Sequence, residues 1–293
     1  MLNSPIKIHF LFSVMMASLL LSCSTQPGRF AISEDIANTA GMDKEIIHAG
    51  LFNLTTYTRN IRQENETLVV YIEGDGMAYL GKNRVSPDPT PANPVGLRLA
   101  AQDLQNPVLY IARPCQYLPE PELHSCDKKY WTSHRYAGEV IDAINSVINR
   151  YVHSSTKTGL VGYSGGATIA ALVAARRKDV SWLVTLAGNM DHRAWTTLHK
   201  ISALDGSLNP PDYAGELGHV PQLHLVGEDD VTVPASIVRS FLDIVQPRIS
   251  ELKVFPGFDH QCCWTDIWPE KLCDATGMEF TGVQQVICDS LVH

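Results

Sequence analysis

Short apolar runs alternate along the chain with stretches in which apolar residues recur at helical spacing. Continuous runs rich in β-branched and aromatic residues are typical of strands buried on both faces. The predicted strands are 52–58, 67–72, 108–112, a run ending at 161, 182–187, 222–226 and 252–255. Helical spacing predicts helices at 94–104, at 133–151 and directly after 166. This alternation predicts an α/β fold, with a mostly parallel sheet and helices on both faces.

A Gly-rich turn joins a predicted strand to an Ala-rich predicted helix. Its sequence from Gly162 to Gly166, Gly-Tyr-Ser-Gly-Gly, matches G-x-S-x-G. In that motif a serine stands at the tip of a sharp turn, and small neighbours let the chain fold back without clashes. The alternative is a Gly-rich connection with an incidental serine. The flanking strand and helix favour Ser164 as a nucleophile.

Acidic residues and a histidine follow two later strands. Asp229 and Asp230 come just after 222–226, and His260 comes just after the last strand. Ligand sites of open parallel sheets form at these carboxyl ends. A histidine there can take the serine proton, and an aspartate can hold the required tautomer. His134 and His192 are competing bases, but neither follows the last strand.

Composition narrows the classes of partner. The 293 residues are 45% hydrophobic and 18% charged, which suits one sizeable core. The net charge of -8 argues against a nucleic-acid partner. We expect no cofactor. We also expect no metal, because there is no C-x-x-C pair and only the His260-Gln261-Cys262 neighbourhood offers ligand spacing.

The N-terminus has the pattern of an export signal. Lys7 and His9 precede an apolar run, 10–21, of signal-peptide length. The run ends in Leu-Leu-Ser-Cys, which resembles the bacterial lipoprotein cleavage box with Cys23 as the lipid anchor. We therefore expect a signal peptide at 1–22, a tether at 23–44 and a folded domain at 45–293. The expected location is the cell envelope, at the outer membrane; an ordinary secretory signal is the alternative.

Six further cysteines suit an oxidising compartment, where they form disulfides. Cys115 with Cys126 is the most local pairing and closes a Pro-rich loop. A disulfide from Cys262 or Cys263 to one of the two last cysteines, Cys273 and Cys288, is expected to hold His260 in place.

From about Phe52 to the C-terminus the chain resembles the α/β-hydrolase superfamily. Four segments more narrowly resemble a group of bacterial serine hydrolases, many of them predicted lipoproteins. These segments are 71–76 (Tyr-Ile-Glu-Gly-Asp-Gly), 112–117, 130–135 and 187–192. The superfamily's acid commonly stands in D-x-x-V-P, and this resemblance favours Asp230 over Asp229.

The resemblance also implies an oxyanion hole built from the backbone N–H groups of Asp75 and Gly165. Glu73 stands where the superfamily usually has histidine. We expect the side chains of Glu73 and Asp75 to turn away from the oxyanion, toward backbone or arginine groups. Paired acid–base catalysis, as in glycosidases, is the alternative role, but side chains two residues apart need not converge on a substrate.

Two insertions, 77–94 and 189–220, are expected to shape the substrate pocket. Aromatic side chains there and in the 130–131 segment are candidate substrate-binding residues, with plain packing as the alternative. The candidates are Tyr79, Tyr130, Trp131, His192 and Trp195. We therefore expect a serine hydrolase for carboxylic esters of short or medium acyl chain. A peptidase, a thioesterase or a non-catalytic envelope lipoprotein is the alternative.

Overall fold

The structure is a computed structural model. It describes residues 28–61, 67–81, 83–153, 156–270, 272–273 and 282–291. The expected signal peptide, 1–22, and its neighbour Cys23 lie outside the described residues, so both stay predictions.

Eight strands of the described chain form one sheet in the order β1-β2-β4-β3-β5-β6-β7-β8. Strands β3 to β8 run parallel, and β1 and β2 form an antiparallel hairpin that joins the sheet through β4. The mostly parallel sheet predicted from the sequence is therefore confirmed. The strands are β1 (Asp43–Ala49), β2 (Phe52–Arg59), β3 (Thr67–Ile72), β4 (Val108–Ile111), β5 (Lys157–Tyr163), β6 (Val180–Leu186), β7 (Gln222–Gly227) and β8 (Ser250–Phe255).

Helices cover both faces of the sheet. They are α1 (Arg29–Thr39), α2 (Val95–Gln102), α3 (Glu120–His124), α4 (Gly138–Asn149), α5 (Gly165–Ala174), α6 (His192–His199), α7 (Ala214–Leu217), α8 (Ala235–Val245), α9 (Trp264–Ile267) and α10 (Gly282–Leu291). Helices α4, α5 and α8 pack on one face, and α1, α2 and α10 pack on the other. Successive residues of β3 face opposite layers, so Val70 and Tyr71 join different cores.

The expected tether is wrong for its described part. Helix α1 and strand β1 occupy that part of the chain, and the folded domain has already begun at Arg29. Ser33 and Ala37 of α1 are buried, and the Ser33 hydroxyl accepts a hydrogen bond of 3.2 Å from Tyr57. Because α1 is mostly polar and fixed by a few tertiary contacts, apolar periodicity did not indicate it.

The helix predicted at 133–151 begins later, as α4 at Gly138. Residues 133–136 form turns instead. These turns bring Arg135 and Tyr136 to the carboxylate of Asp75. A helix through this segment would therefore forfeit the contacts that anchor the loop after β3.

The disulfides differ in part from expectation. The predicted Cys115–Cys126 bond is confirmed, with the two Cα atoms 5.9 Å apart. The expected link from the 262–263 pair to the tail is wrong, because Cys262 pairs with its neighbour Cys263. Cys273, which follows α9, pairs instead with Cys288 of α10, and their Cα atoms are 5.3 Å apart. This disulfide therefore lies entirely within the C-terminal segment.

Candidate active site

Ser164 stands at the tip of the turn between β5 and α5. Its backbone has φ 53° and ψ -120°, a strained conformation for a residue with a side chain. Its N–H donates to the Leu186 carbonyl at 2.9 Å, which ties the turn to β6. A Cβ added at Gly162 would lie 2.5 Å from Ala167 Cα, and one at Gly166 would lie 2.2 Å from the Ile72 carbonyl oxygen. The small residues of G-x-S-x-G are therefore required by packing.

A line of hydrogen bonds joins Ser164, His260 and Asp230. Ser164 Oγ lies 3.0 Å from His260 Nε2, and His260 Nδ1 lies 2.8 Å from Asp230 Oδ2. A carboxylate can only accept, so Nδ1 donates to Asp230 and Nε2 is left to accept the serine proton. The His260 carbonyl accepts from the Tyr163 hydroxyl at 2.9 Å, which fixes the histidine backbone. The three side chains are therefore placed as a nucleophile, a base and an orienting acid require.

The structure places Asp230, and not Asp229, beside the histidine. The Asp230 side chain is fully buried, whereas Asp229 is exposed. The second oxygen of Asp230 accepts from the N–H groups of Thr232 and Val233 at 2.9 and 2.8 Å. In D-x-x-V-P these N–H groups come from the second and third residues after the aspartate. The spacing of the motif therefore has a physical reason.

The competing histidines lie elsewhere. His134 Nδ1 is 2.8 Å from the Ser133 hydroxyl. His192 is buried with its ring centroid 5.9 Å from that of Tyr136, and burial lowers its pKa. Neither side chain contacts Ser164.

The loop after β3 lies against the serine. A Cβ added at Gly74 would lie 3.4 Å from Ser164 Cβ, and Asp75 lines the same pocket as Ser164. The backbone N–H groups of Asp75 and Gly165 donate to no acceptor within the described ranges. Neither donor is used within the described fold, and the oxyanion role that the resemblance implies for them stays a prediction.

The Asp75 carboxylate lies beside Gly165, in a largely buried ion-pair cluster. It accepts from Arg113 Nη1 at 2.8 Å, from Arg135 Nη1 at 2.7 Å and from the Tyr136 hydroxyl at 3.1 Å. Burial by itself raises the pKa of Asp75, but the two guanidinium groups outweigh it and the pKa lies below its ordinary value. The expectation that this carboxylate binds arginine is confirmed.

Glu73 is buried and binds backbone. It accepts from the N–H groups of Gly74, Gly96 and Leu97 at 2.9, 3.2 and 3.2 Å, and from the Tyr110 hydroxyl at 3.0 Å. Two of these N–H groups belong to the first turn of α2, where a carboxylate suits the helix dipole. Burial raises the pKa of Glu73 although the hydrogen bonds oppose this. Because both carboxylates bind separate protein partners, they do not form a glycosidase-like pair.

Ser164 and His260 open into a pocket of about 450 Å³. Both predicted insertions contribute to its wall, and with them two of the predicted aromatic residues, Tyr79 and Trp195. Tyr79 is 41% exposed at the pocket. The Trp195 indole N–H donates to the Thr232 carbonyl at 2.7 Å, which links the second insertion to the acid loop.

The other three predicted substrate-binding residues do not line this pocket. Tyr130 packs edge-on against Phe52 and donates to Glu139 at 3.2 Å. Trp131 is buried, and its indole N–H donates to the Ser86 carbonyl at 3.1 Å. His192 begins α6 within the second insertion, and its ring packs against that of Tyr136. These three side chains are packing residues, which was the stated alternative.

Several polar residues of the pocket wall were not predicted as site residues, among them Arg135 and Asn189. Both lie in segments that carry the family resemblance, 130–135 and 187–192, and that membership was the available indication. In the parts of the chain that the structure covers, no three metal-binding side chains come together.

Fold and site define an α/β-hydrolase. Residues 116–260 match the family model described as serine hydrolase (FSH1), a span of just under half the chain that contains Ser164, Asp230 and His260. The fold is therefore that of the α/β-hydrolases, and the match to the family model supports a hydrolase of the serine type. The narrower resemblance to a lipoprotein group stays a prediction.

Two solved structures illustrate the fold. Est1E from Butyrivibrio proteoclasticus aligns over 85% of this chain and 99% of its own, with a TM-score of 0.55 and 16% identity. A bacterial membrane phospholipase A aligns over 85% and 89%, with a TM-score of 0.52 and 12% identity. At these identities the likeness establishes the fold alone. No curated protein sequence matches the chain significantly.

Proposed function

We propose that this hydrolase cleaves carboxylic esters of short or medium acyl chain through an acyl-enzyme. The observation that carries the proposal is the hydrogen-bonded line from Ser164 Oγ to His260 and on to Asp230, at 3.0 and 2.8 Å, inside an open pocket. The strained backbone of Ser164 supports it, because such strain costs about 1–3 kcal/mol and persists where a site uses it.

The proposed reaction has two halves. Ser164 Oγ attacks the ester carbonyl while His260 Nε2 takes its proton, and Asp230 stabilises the imidazolium through Nδ1. The N–H groups of Gly165 and Asp75 hold the tetrahedral oxyanion. Collapse breaks the bond to the alcohol, which leaves with the proton from His260. Water, deprotonated by His260, then releases the carboxylic acid and restores Ser164.

A series of p-nitrophenyl esters tests this function and the acyl preference. The pocket of about 450 Å³ lies near the lower end of the usual ligand-site range of roughly 300–1,000 Å³, and polar side chains form part of its wall. We expect kcat/KM to be highest from acetate to hexanoate and about tenfold lower or more for decanoate. The release of p-nitrophenol measures the rates.

Two results would contradict the acyl preference. One is a steady rise of kcat/KM toward the longest soluble chain. The other is a rate that jumps when the ester exceeds its solubility and forms droplets. If no ester is turned over but peptide or thioester analogues are, the enzyme is a peptidase or thioesterase instead.

We further propose that Cys23 carries a lipid that anchors the chain in the cell envelope, at the outer membrane. The support is the apolar run that ends in Leu-Leu-Ser-Cys. Within the described residues, no helix has both the length and the apolar character needed to cross a membrane.

Metabolic labelling tests the anchor. A radiolabelled fatty acid fed to a bacterial host is expected to enter the wild-type chain and not Cys23→Ser, because the thiol is the site of attachment. Cys115→Ser, made in the same host, controls for loss of a cysteine and is expected to stay labelled. Equal labelling of the Cys23→Ser and wild-type chains would exclude the anchor.

A further inference from the structure

Asn189 is held rigidly beside the nucleophile. Its N–H donates to the Ser164 carbonyl at 3.2 Å, and its own carbonyl accepts from the Thr168 hydroxyl at 2.5 Å. The residue is 3% exposed and lines the same pocket as Ser164. Its backbone is therefore fixed by the turn that carries the serine, and its side chain belongs to the pocket wall.

The side-chain amide of Asn189 has no protein partner. Its Oδ1 is buried and accepts no hydrogen bond from the described residues. Nine-tenths or more of buried polar groups in proteins are paired, because an unpaired one destabilises the fold. Because Oδ1 has almost no accessible surface and Nδ2 is not among such atoms, Nδ2 is the end of the amide that is left to donate to a substrate oxygen. An unsatisfied amide next to the nucleophile therefore suits a polar group of the substrate.

Arg135 supplies a second polar group to the same wall. Its Nη1 binds Asp75 and its Nε donates to the Thr132 carbonyl at 2.8 Å. Its Nη2 donates no hydrogen bond to the described residues. This atom is not one of the buried polar atoms without a partner, so it is accessible from the pocket that Arg135 lines. The guanidinium stays charged at all ordinary pH values, so this donor is always available to an oxygen acceptor.

We propose that Asn189 is a specificity-determining residue and that, with Arg135, it selects esters bearing a second polar group, a carboxylate or carboxamide, near the scissile bond. The inference rests on the proposed ester hydrolysis and names its substrate class. A purely apolar acyl chain leaves the Asn189 amide and the Arg135 Nη2 group without a hydrogen-bond partner in the complex. Sites built to hydrogen-bond a substrate group strongly reject analogues that lack it.

Three methyl esters of five-carbon acids test the selection: monomethyl glutarate, methyl 5-amino-5-oxopentanoate and methyl pentanoate. They present a carboxylate, a carboxamide and a methyl group at the same chain length. Acid release in a pH-stat gives kcat/KM. We expect the wild type to prefer the two polar esters over methyl pentanoate by about 10- to 100-fold.

Asn189→Leu replaces the amide by an apolar group of similar size and is expected to reduce that preference at least about tenfold. Asn38→Leu, on the exposed side of α1, is the matched control and is expected to keep the wild-type preference. Because the Asn189 amide makes no hydrogen bond to the protein, thermal unfolding of Asn189→Leu is expected at or above the wild-type Tm. If the leucine does not fit, Asn189→Ala carries the same expectations.

A wild-type preference for methyl pentanoate would overturn the inference. So would a fall in kcat/KM by the same factor for all three esters in a folded Asn189 variant, because that result would indicate a structural role. If p-nitrophenyl esters are cleaved but the polar esters are not preferred, only the selection fails. If no ester is cleaved at all, the proposed function fails with it.

Discussion

Replacement of Ser164 by alanine is expected to lower kcat/KM for a short p-nitrophenyl ester by about 10⁴- to 10⁶-fold. The hydroxyl that His260 would activate is removed, so no acyl-enzyme forms. The oxyanion donors and the pocket remain, and they leave only the weak residual rate of a site without a nucleophile. Progress curves at high enzyme concentration measure that residual rate. A fluorophosphonate probe, which reacts with activated serines, is expected to label the wild type and not the variant.

Ser133 offers a matched control, because its hydroxyl is also within hydrogen-bond distance of a histidine. It lies 2.8 Å from Nδ1 of His134. Ser133→Ala is expected to keep kcat/KM within about threefold of the wild type, since this pair lies outside the pocket. Similar losses in both variants would mean that the Ser164 effect comes from general damage. Full activity in Ser164→Ala would exclude Ser164 as the nucleophile.

Replacement of Asp75 by alanine is expected to damage both stability and catalysis. Two guanidinium groups, each with a nearly buried side chain, lose the carboxylate that they share, which costs about 3–5 kcal/mol. The loop that carries one of the proposed oxyanion donors also loses its anchor, so kcat is expected to fall by about 10²- to 10³-fold in the protein that still folds. Urea unfolding measures the first effect, and saturation kinetics separate kcat from KM.

Asp212 provides the contrast, because it makes a two-point ion pair with Arg193 at the surface, at 2.6 and 2.7 Å. Exposed pairs contribute about 0–1 kcal/mol, so Asp212→Ala is expected to unfold close to the wild type. The same stability for Asp75→Ala and Asp212→Ala would show that the buried cluster does not hold the loop.

The pH dependence of stability gives a separate check on Asp75. Its pKa in the folded chain lies below the ordinary value, so its stabilisation is complete above the pKa of the unfolded chain, about 3.9. That stabilisation is lost as the pH falls from there through the folded-state pKa. The free energy of unfolding of Asp75→Ala is therefore expected to fall less steeply with acid than that of the wild type.

The parallel part of the sheet could be predicted because its strands are buried on both faces. The prediction for β3 has the bounds that the structure shows, 67–72. The carboxyl ends of such strands meet at one edge, so residues after β5, β7 and β8 could be expected to converge, as Ser164, Asp230 and His260 do. Strand β1 was missed because it pairs on one side only and mixes charges with apolar residues.

The pocket wall could be predicted only in part. Which insertions approach the serine follows from their place after the strands. Which side chains point inward depends on the path of each loop, and this path is set by contacts such as the Trp131 bond to Ser86. Asn189 and Arg135 were missed because nothing in their residue type separates a polar group awaiting a substrate from one paired within the fold.

Both edge strands of the sheet carry charged side chains. Strand β1 ends one side with Lys44 and Glu45, and β8 ends the other with Glu251 and Lys253. An edge strand offers unpaired backbone groups to any other strand, and charged side chains along it oppose that pairing because pairing would strip them of water. Protection at both ends, rather than at one, blocks head-to-tail addition of sheets. The folded chain is therefore expected to resist growth into β-aggregates at high protein concentration.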